Sequence, residues 1–559
     1  MFSRPSCSGE TVTVHVRSSC LQGVGGISVG VEVDILSALP CFQVVGLPNS
    51  SVRESRERIR SAIEASNLPF PRRRITVNLA PADRPKRGTG LDLPIALGVV
   101  AAAAISGGQA APWQHAPAAL GELGLDGRVR GIPGVLPCVE AAVSVGVSTV
   151  IVPAANVHEA RLVPGVSVHG VHSLSEAWAV ARGSAVPGKG SVIGSRDQAI
   201  SPLGPGTESF GSSPPPDLRE IRGLQLGRRV LEVAAAGHHG LLLEGPPGAG
   251  KSLLARSLAS ILPDLSSEHA LEVTRVRSAA GLLPHHHGLV VRPPMRSPHH
   301  TASTPAIVGG GNPLRPGEIT LAHRGVLLLD EVPEFKPAVL ESLRQPLEEG
   351  QVRVSRMREA ATFPAQFHLA ATANPCPCGF LGSSTQACQC LPGQRQRYRR
   401  RLSGPLLDRI ELVSWIEPVS AQTLLTGAPG EASIDVRARV AEVHQMNAKR
   451  WSSRGSDGSD VSRPHHLPLD FCLPRLDRSA LRELHSALGG QRRSSRSLNQ
   501  LVRVSCTLAD LDGADRVNTQ HIQEAVILTH RLDGPEAHRT PPANSLTDRR
   551  EPLEPTSQP

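Results

Sequence analysis

Residues 240–252, Gly-Leu-Leu-Leu-Glu-Gly-Pro-Pro-Gly-Ala-Gly-Lys-Ser, constrain the fold more than any other stretch of this chain. An apolar run enters a glycine-rich turn that ends in Lys-Ser, and from Gly245 to Ser252 the spacing is G-x-x-x-x-G-K-[ST]. The pattern works only as strand, loop and helix in that order, which places a parallel α/β layer in mid-chain. Gly245, Pro246, Pro247, Gly248, Ala249 and Gly250 form a cradle in which the three glycines let the chain bend tightly and turn its N–H groups toward phosphate oxygens. Lys251 then reaches the β/γ-phosphates and the Ser252 hydroxyl ligates Mg²⁺. The helix predicted over residues 253–261 points its N-terminus at the same anion.

A second motif turns a nucleotide site into an ATPase site. His323-Arg324-Gly325-Val326-Leu327-Leu328-Leu329-Asp330-Glu331 is an apolar run closing on two carboxylates, about 75 residues beyond the glycine-rich loop. Such a run suits a strand buried on both faces of a parallel sheet. Asp330 at its end would hold the Mg²⁺ shell, and Glu331 would polarise the attacking water.

With 559 residues the chain exceeds a single core, and about two to four domains are expected. The most apolar window, residues 93–105, is too short to span a membrane. The N-terminus lacks a secretory pattern, so the expectation is a cytoplasmic protein without a membrane partner. Its ten cysteines would then be reduced, and clustered cysteines suggest metal before disulfide. The net charge of +9 is compatible with a polyanionic partner. With a single tyrosine, Tyr398, base-stacking platforms are not expected, so nucleic acid would be held by its backbone.

Composition divides the chain. Residues 10–182 form a first unit, with strands predicted at 12–16, 30–35, 74–79 and 148–152 and a helix over 51–65. Residues 183–217, rich in Gly, Ser and Pro, read as a flexible linker. The α/β ATPase core covers 218–415, a helical Arg- and Leu-rich unit covers 431–532, and the Pro-rich tail 533–559 reads as disordered.

Residues 370–375, Ala-Ala-Thr-Ala-Asn-Pro, form a small-residue strand ending in Asn374, and Leu-Leu-Asp-Arg follows at 406–409. With Ser-Pro-His-His-Thr (297–301), Gly-Gly-Gly (309–311), Arg-Pro-Gly-Glu-Ile (315–319) and Asn-Pro-Cys-Pro-Cys-Gly (374–379), the chain resembles the magnesium-chelatase-like AAA+ family that includes ComM and YifB. The resemblance covers roughly residues 10–530. It implies that Asn374 is the sensor that reads the γ-phosphate. It also implies that Arg409 is an arginine finger acting in a neighbouring subunit's site, and that Arg496 is the second sensor, in a C-terminal helical lid. The alternative for Arg409 is a surface ion pair with Asp408 or Glu411. An arginine is usual in the family where Cys506 stands here. A homo-hexameric ring follows from the same resemblance, as does DNA as the polymer acted on, with branch migration during recombination of incoming DNA. The rival is a chelatase-type or chaperone-like motor remodelling a protein partner.

Cys376, Cys378, Cys388 and Cys390 form two C-x-C pairs that could close a structural Zn²⁺ site, although C-x-C is a tight bite. A redox-sensitive or merely small-residue loop is the alternative. His285-His286-His287 reads as a solvated loop rather than a metal site. Arg353, Arg356 and Arg358 alternate on a strand that resembles a pore-lining hairpin and could track phosphates.

In the first unit, residues 121–129, 134–136 and 149–153 resemble the Lon protease domain, an α+β fold with a Ser–Lys dyad. Gly90 stands where the serine belongs and Leu136 where the lysine belongs. The resemblance therefore implies a non-catalytic Lon-like domain, with Thr89 and Lys86 as remote substitutes, and argues against an ATP-dependent protease.

Overall fold

The computed structural model describes residues 12–86, 88–110, 113, 117–184, 192–193, 214–284, 288–311, 314–356, 359–383, 386–402, 404–452, 469–489 and 495–529. Its N-terminal part is an eight-stranded mixed sheet. The strands are β1 (Val12–Gln22), β2 (Gly25–Leu36), β3 (Cys41–Val45), β4 (Arg74–Ala80), β5 (Ala118–Ala119), β6 (Thr149–Pro153), β7 (Ser167–Val171) and β8 (Val192–Ile193). They lie in the order β8-β7-β6-β5-β1-β2-β4-β3. The strands expected at 12–16 and 30–35 are longer than their alternating cores and join as one hairpin. On β2, Val29, Val31, Val33 and Ile35 alternate into the core, as period-two patterning requires. β8 pairs antiparallel with β7, so part of the expected linker extends this sheet. Within that linker, residues 185–191 and 194–213 lie outside the described residues, as does the tail.

Helix α1 (Ser50–Ala65) starts where the Asn49 side chain accepts the Val52 N–H at 3.0 Å. Helix α2 (Asp92–Ser106) contains the apolar window seen in the sequence and is buried without interruption from Asp92 to Ala102. Being apolar all round, it packs as the centre of a core. No helix among the described residues is long and apolar enough to cross a membrane. Helix α3 (Val135–Ser144) packs on the β1–β2 hairpin.

Helices α4 (Gln225–Gly237), α5 (Lys251–Ile261) and α6 (Ser267–Ala279) belong to the second part. They surround a five-stranded sheet of β9 (Leu241–Glu244), β10 (Met295–Arg296), β11 (Val326–Leu329), β14 (His368–Ala373) and β15 (Leu412–Trp415), with β12 (Gln351–Arg356) and β13 (Glu359–Pro364) forming a separate hairpin. Every pairing in the sheet is parallel, in the order β10-β11-β14-β9-β15. β11 and β14 are buried along their whole length, which explains their unbroken apolar and small residues. The chain leaves β9 for the far edge, returns, and then places β15 on the other side. β9 therefore marks the point where strand order reverses, and its carboxyl end opens a crevice.

The short helix α7 (Pro392–Arg401) precedes β15. Beyond it come α8 (Ser433–Ser452), α9 (Arg478–Gly489), α10 (Ser495–Leu511) and α11 (Thr519–Thr529). These last helices share one hydrophobic core with α4 and α5: Val440, Leu501, Leu508 and Ile522 pack in the same cluster as Leu231 and Leu258. Ion pairs join the same elements, with Arg229 meeting Glu524 at 2.9 Å and Arg439 meeting Glu232 at 2.7 Å. The N-terminal part docks through α3 and α6, where the Arg275 guanidinium holds both oxygens of Glu140 at 2.7 and 2.8 Å. Ser278 of α6 also bonds the buried carboxylate of Glu159.

Candidate active site

The glycine-rich loop leaves the end of β9 and turns directly into α5, whose first residue is Lys251. Gly250 caps this helix at φ +88°, a conformation closed to most side chains. At Gly245 an added Cβ would lie 2.2 Å from the Ile416 carbonyl oxygen, so only glycine lets loop and β15 approach. Lys251 is 8% exposed, and its ammonium donates to the carbonyls of Gly245 and Pro246, both at 2.8 Å, and to Asn374 Oδ1 at 3.1 Å. Burial lowers its pKa, partly offset by the carboxylates of Asp330 and Glu331.

Asp330 and Glu331 follow β11, and Asn374 follows β14, so adjacent parallel strands deliver all three to the carboxyl end of the sheet. Ser252 Oγ donates to Asp330 Oδ1 at 2.8 Å. Thr372 Oγ1 donates to the same oxygen at 2.5 Å and accepts the Glu331 N–H at 2.9 Å. Thr372 is buried and fixes both acidic residues, a role the sequence reading did not give it. The only hint was a hydroxyl among alanines in a strand aimed at the site. Glu331 adopts φ +56°, a left-handed conformation that costs a non-glycine residue about 1 kcal/mol or more.

The Ser252 and Asp330 oxygens suit Mg²⁺. Neighbouring oxygens in an octahedral shell with bonds near 2.1 Å lie about 3.0 Å apart, close to the 2.8 Å separation found here.

Arg409 is not brought to this cluster. It precedes β15 at the opposite, amino-terminal end of the sheet, where the Leu412 N–H donates to the Gly240 carbonyl at 3.0 Å. The length of β9, about 13 Å, separates the two ends. Its guanidinium forms an ion pair with Glu348, an acidic partner beyond the Asp408 and Glu411 named from the sequence. Arg409, Glu348, Glu411, Gln366 and Arg503 line a cavity of about 260 Å³ there. Arg496 lies in the first turn of α10, and its side chain lies outside what the structure describes. Cys506, where the family pattern has arginine, is buried in α10 with its thiol facing the Cys472 carbonyl at 3.9 Å.

The four cysteines converge. The Cys376 and Cys378 sulfurs lie 3.4 Å apart, and each is 3.6 Å from Cys388 Sγ. Cys390 completes a set whose ligand atoms all lie within 4.8 Å of one another. Tetrahedral Zn–S bonds of about 2.3 Å put sulfurs about 3.8 Å apart, so the donor set fits despite the tight C-x-C bite. Backbone N–H groups of Phe380 and Gln389 hold the Cys378 thiol below its ordinary pKa, which favours thiolate. The loop carrying these cysteines packs on the nucleotide loop, since a Cβ on Gly379 would meet Pro247 at 2.6 Å.

On the β12–β13 hairpin Arg353 is exposed; the Arg356 side chain and Arg358 lie outside the described residues, as do His285–His287. In the N-terminal part, Thr89 bonds the Glu122 carboxylate and the buried Lys86 ammonium bonds the Pro81 carbonyl. Each has a structural partner, and a Cβ on Gly90 would lie 2.8 Å from Ile132.

Three family models match the chain in succession: subunit ChlI of Mg-chelatase over residues 31–156, magnesium chelatase subunit ChlI over 217–424, and its C-terminal region over 430–529. An uncharacterized protein of Mycobacterium tuberculosis is 41% identical over 500 residues, covering 89% of this chain and 94% of that one. YifB of Escherichia coli is 38% identical over 518 residues, covering 92% of this chain and 96% of its own. The competence protein ComM of Haemophilus influenzae is 37% identical over 518 residues, with 91% and 96% covered. Identity at this level over nearly the full length of both chains means that the protein belongs to the magnesium-chelatase-like AAA+ family of YifB and ComM.

Proposed function

We propose that this protein is a ring-forming ATPase that couples ATP hydrolysis to movement along DNA, driving branch migration in recombination of incoming DNA. The observation that carries the reading is the split site. Lys251, Ser252, Asp330, Glu331 and Asn374 meet at one end of the sheet, and Arg409 stands at the other. An arginine so placed serves the site of a second copy, which ties hydrolysis to assembly of a ring, by family resemblance a hexamer.

Within one chain, the loop N–H groups and Lys251 would neutralise phosphate oxygens, while Ser252 and Asp330 would hold Mg²⁺, whose chemistry would be to neutralise charge developing on the β/γ-oxygens. Glu331, locked by Thr372 through its own N–H, accepts the proton of the attacking water. Asn374 sits beside the Lys251 ammonium, where it would contact the γ-phosphate. Arg409 of the neighbour, and Arg496 from α10, would neutralise transition-state charge. Zn²⁺ on Cys376, Cys378, Cys388 and Cys390 would be structural, because four thiolates leave no open position.

Turnover measured alone and with single-stranded, duplex and forked DNA tests the reading, and stimulation by at least one DNA form is expected. Indifference to all three would favour a motor acting on a protein partner, the reading suggested by the chelatase descriptions of the family models. Mixing Arg409→Ala with Lys251→Ala subunits should restore part of the activity; no rescue at any ratio counts against a finger acting in trans.

A further inference from the structure

Helix α7 has a role that neither the nucleotide site nor the hairpin covers. It starts cleanly, with Pro392 at its first position and the Leu391 N–H capped by Gln394 Oε1 at 3.0 Å. Its ten residues include Arg395, Arg397, Arg399, Arg400 and Arg401 and no carboxylate. Arg397, Arg399 and Arg400 are exposed, and none of them has an ion pair among the described residues. Like charges recur three and four positions apart, at 395/399, 397/400 and 397/401, a spacing that destabilises an isolated helix. A solvated face is usually relieved by interspersed carboxylates, and here there are none.

The inner side of α7 is tied to the turn that follows Glu331. Tyr398 is buried, and its hydroxyl is driven above its ordinary pKa by burial and by the nearby charges of Glu334 and Glu331. Arg401 Nη1 donates to the Pro333 carbonyl and to Glu334 Oε2, both at 3.3 Å. Those residues form the turn directly after Glu331. Upstream, α7 is held by the cysteine loop, which ends at Cys390 two residues before Pro392.

We propose that α7 is a contact for the phosphate backbone of a nucleic-acid strand, with Arg397, Arg399 and Arg400 as the cations and the Arg401–Glu334 bond as its link to Glu331. The surface rests on the DNA reading above and adds a site to it. At about 1.5 Å of rise per residue the three arginines lie within about 4.5 Å along one short helix, so their long side chains can spread over neighbouring phosphates, and they have no ion pair among the described residues to give up on binding. The contact carries no sequence preference, because only backbone charge is engaged.

The test compares wild-type protein with the combined variant R397A/R399A/R400A, checked for fold by its melting midpoint and for assembly by its elution volume. Binding to fluorescein-labelled oligothymidine and to a duplex is followed by anisotropy across a salt series. The variant should lose about tenfold or more in affinity at moderate salt, with a log–log salt slope shallower by about 2. The charge-keeping variant R397K/R399K/R400K should bind like wild type. If the alanine variant does not fold, R397Q, R399Q and R400Q made singly read the same quantity, each flattening the slope by about 1. Unchanged affinity and slope overturn the proposal and leave the DNA reading standing. A lysine variant as weak as the alanine one, or loss of assembly in place of DNA binding, also overturns it. Wild-type protein that binds neither oligonucleotide overturns the DNA reading itself.

Discussion

Two glycine-rich turns among the described residues, Gly245–Ser252 and Pro85–Leu91, each lie between a strand and a helix and differ in what meets at the helix N-terminus. The turn at Gly245–Ser252 delivers Lys251 to the first position of α5, beside Asn374 and within reach of the acidic pair on β11. The turn at Pro85–Leu91 opens α2 with Asp92, a carboxylate where an anion would sit, already held by Arg58 at 3.0 Å. Its lysine, Lys86, is buried six residues earlier against the Pro81 carbonyl. Burial pushes the Asp92 carboxyl up to about 6, with Arg58 opposing. Glycine content supplies flexibility in both turns. The polar groups converging on the helix N-terminus decide whether flexibility becomes a site.

The comparison breaks first on lysine. Lys251→Ala should lower ATP affinity by about a hundredfold or more, while Lys86→Ala leaves it unchanged; calorimetric titration with a non-hydrolysable ATP analogue reads both, and a matched loss would erase the distinction. Next, Glu331→Gln should keep nucleotide binding and lose about a hundredfold or more in turnover, trapping a stable ring. Normal turnover would remove Glu331 from the catalytic role. Thr372→Ala should cost about tenfold in turnover, because it frees the Glu331 N–H and one bond to Asp330, whereas Thr372→Ser should restore most of it. Equal rates for all three residues at this position would make Thr372 a packing residue only.

The smallest effect concerns pH. Burial would raise the Glu272 carboxyl, but bonds from His323 and Arg324 outweigh it and hold its pKa at about 2, below the ordinary 4.5. A depressed acid stabilises the fold above its unfolded pKa and loses that contribution as pH falls through the folded value. Melting midpoints should therefore fall between pH 4.5 and 2 in wild type and more gently in Glu272→Gln. Parallel acid limbs would show that this clasp between α6 and the base of β11 carries no stability.

Much of the nucleotide site was readable because its chemistry is local. The residues from Gly245 to Ser252 are consecutive and would serve the same phosphates, and Asp330-Glu331 ends a strand whose apolar run announces it. Thr372 escaped notice because its meaning depends on β14 lying next to β11, a pairing invisible in either segment alone. The same holds for α7: the arginine run was in plain view, but its seat on the turn after Glu331 depends on tertiary contacts. The boundary between the core and the C-terminal helices was drawn on composition, whereas the packing of α8, α10 and α11 on α4 and α5 makes one continuous interior.

Sequence alone determined which groups were available: a loop with the spacing to wrap phosphates, two carboxylates at a strand end and four clustered thiols. Those facts depend on residue type and short-range spacing, which the chain carries without folding. Tertiary structure decided which groups meet. Strand order brings β11, β14 and β9 side by side and places Arg409 at the far end of the same sheet, a separation set by strand direction that no motif encodes. Folding, through long-range hydrogen bonds and burial, decided that one glycine-rich turn became a site and the other a filled corner.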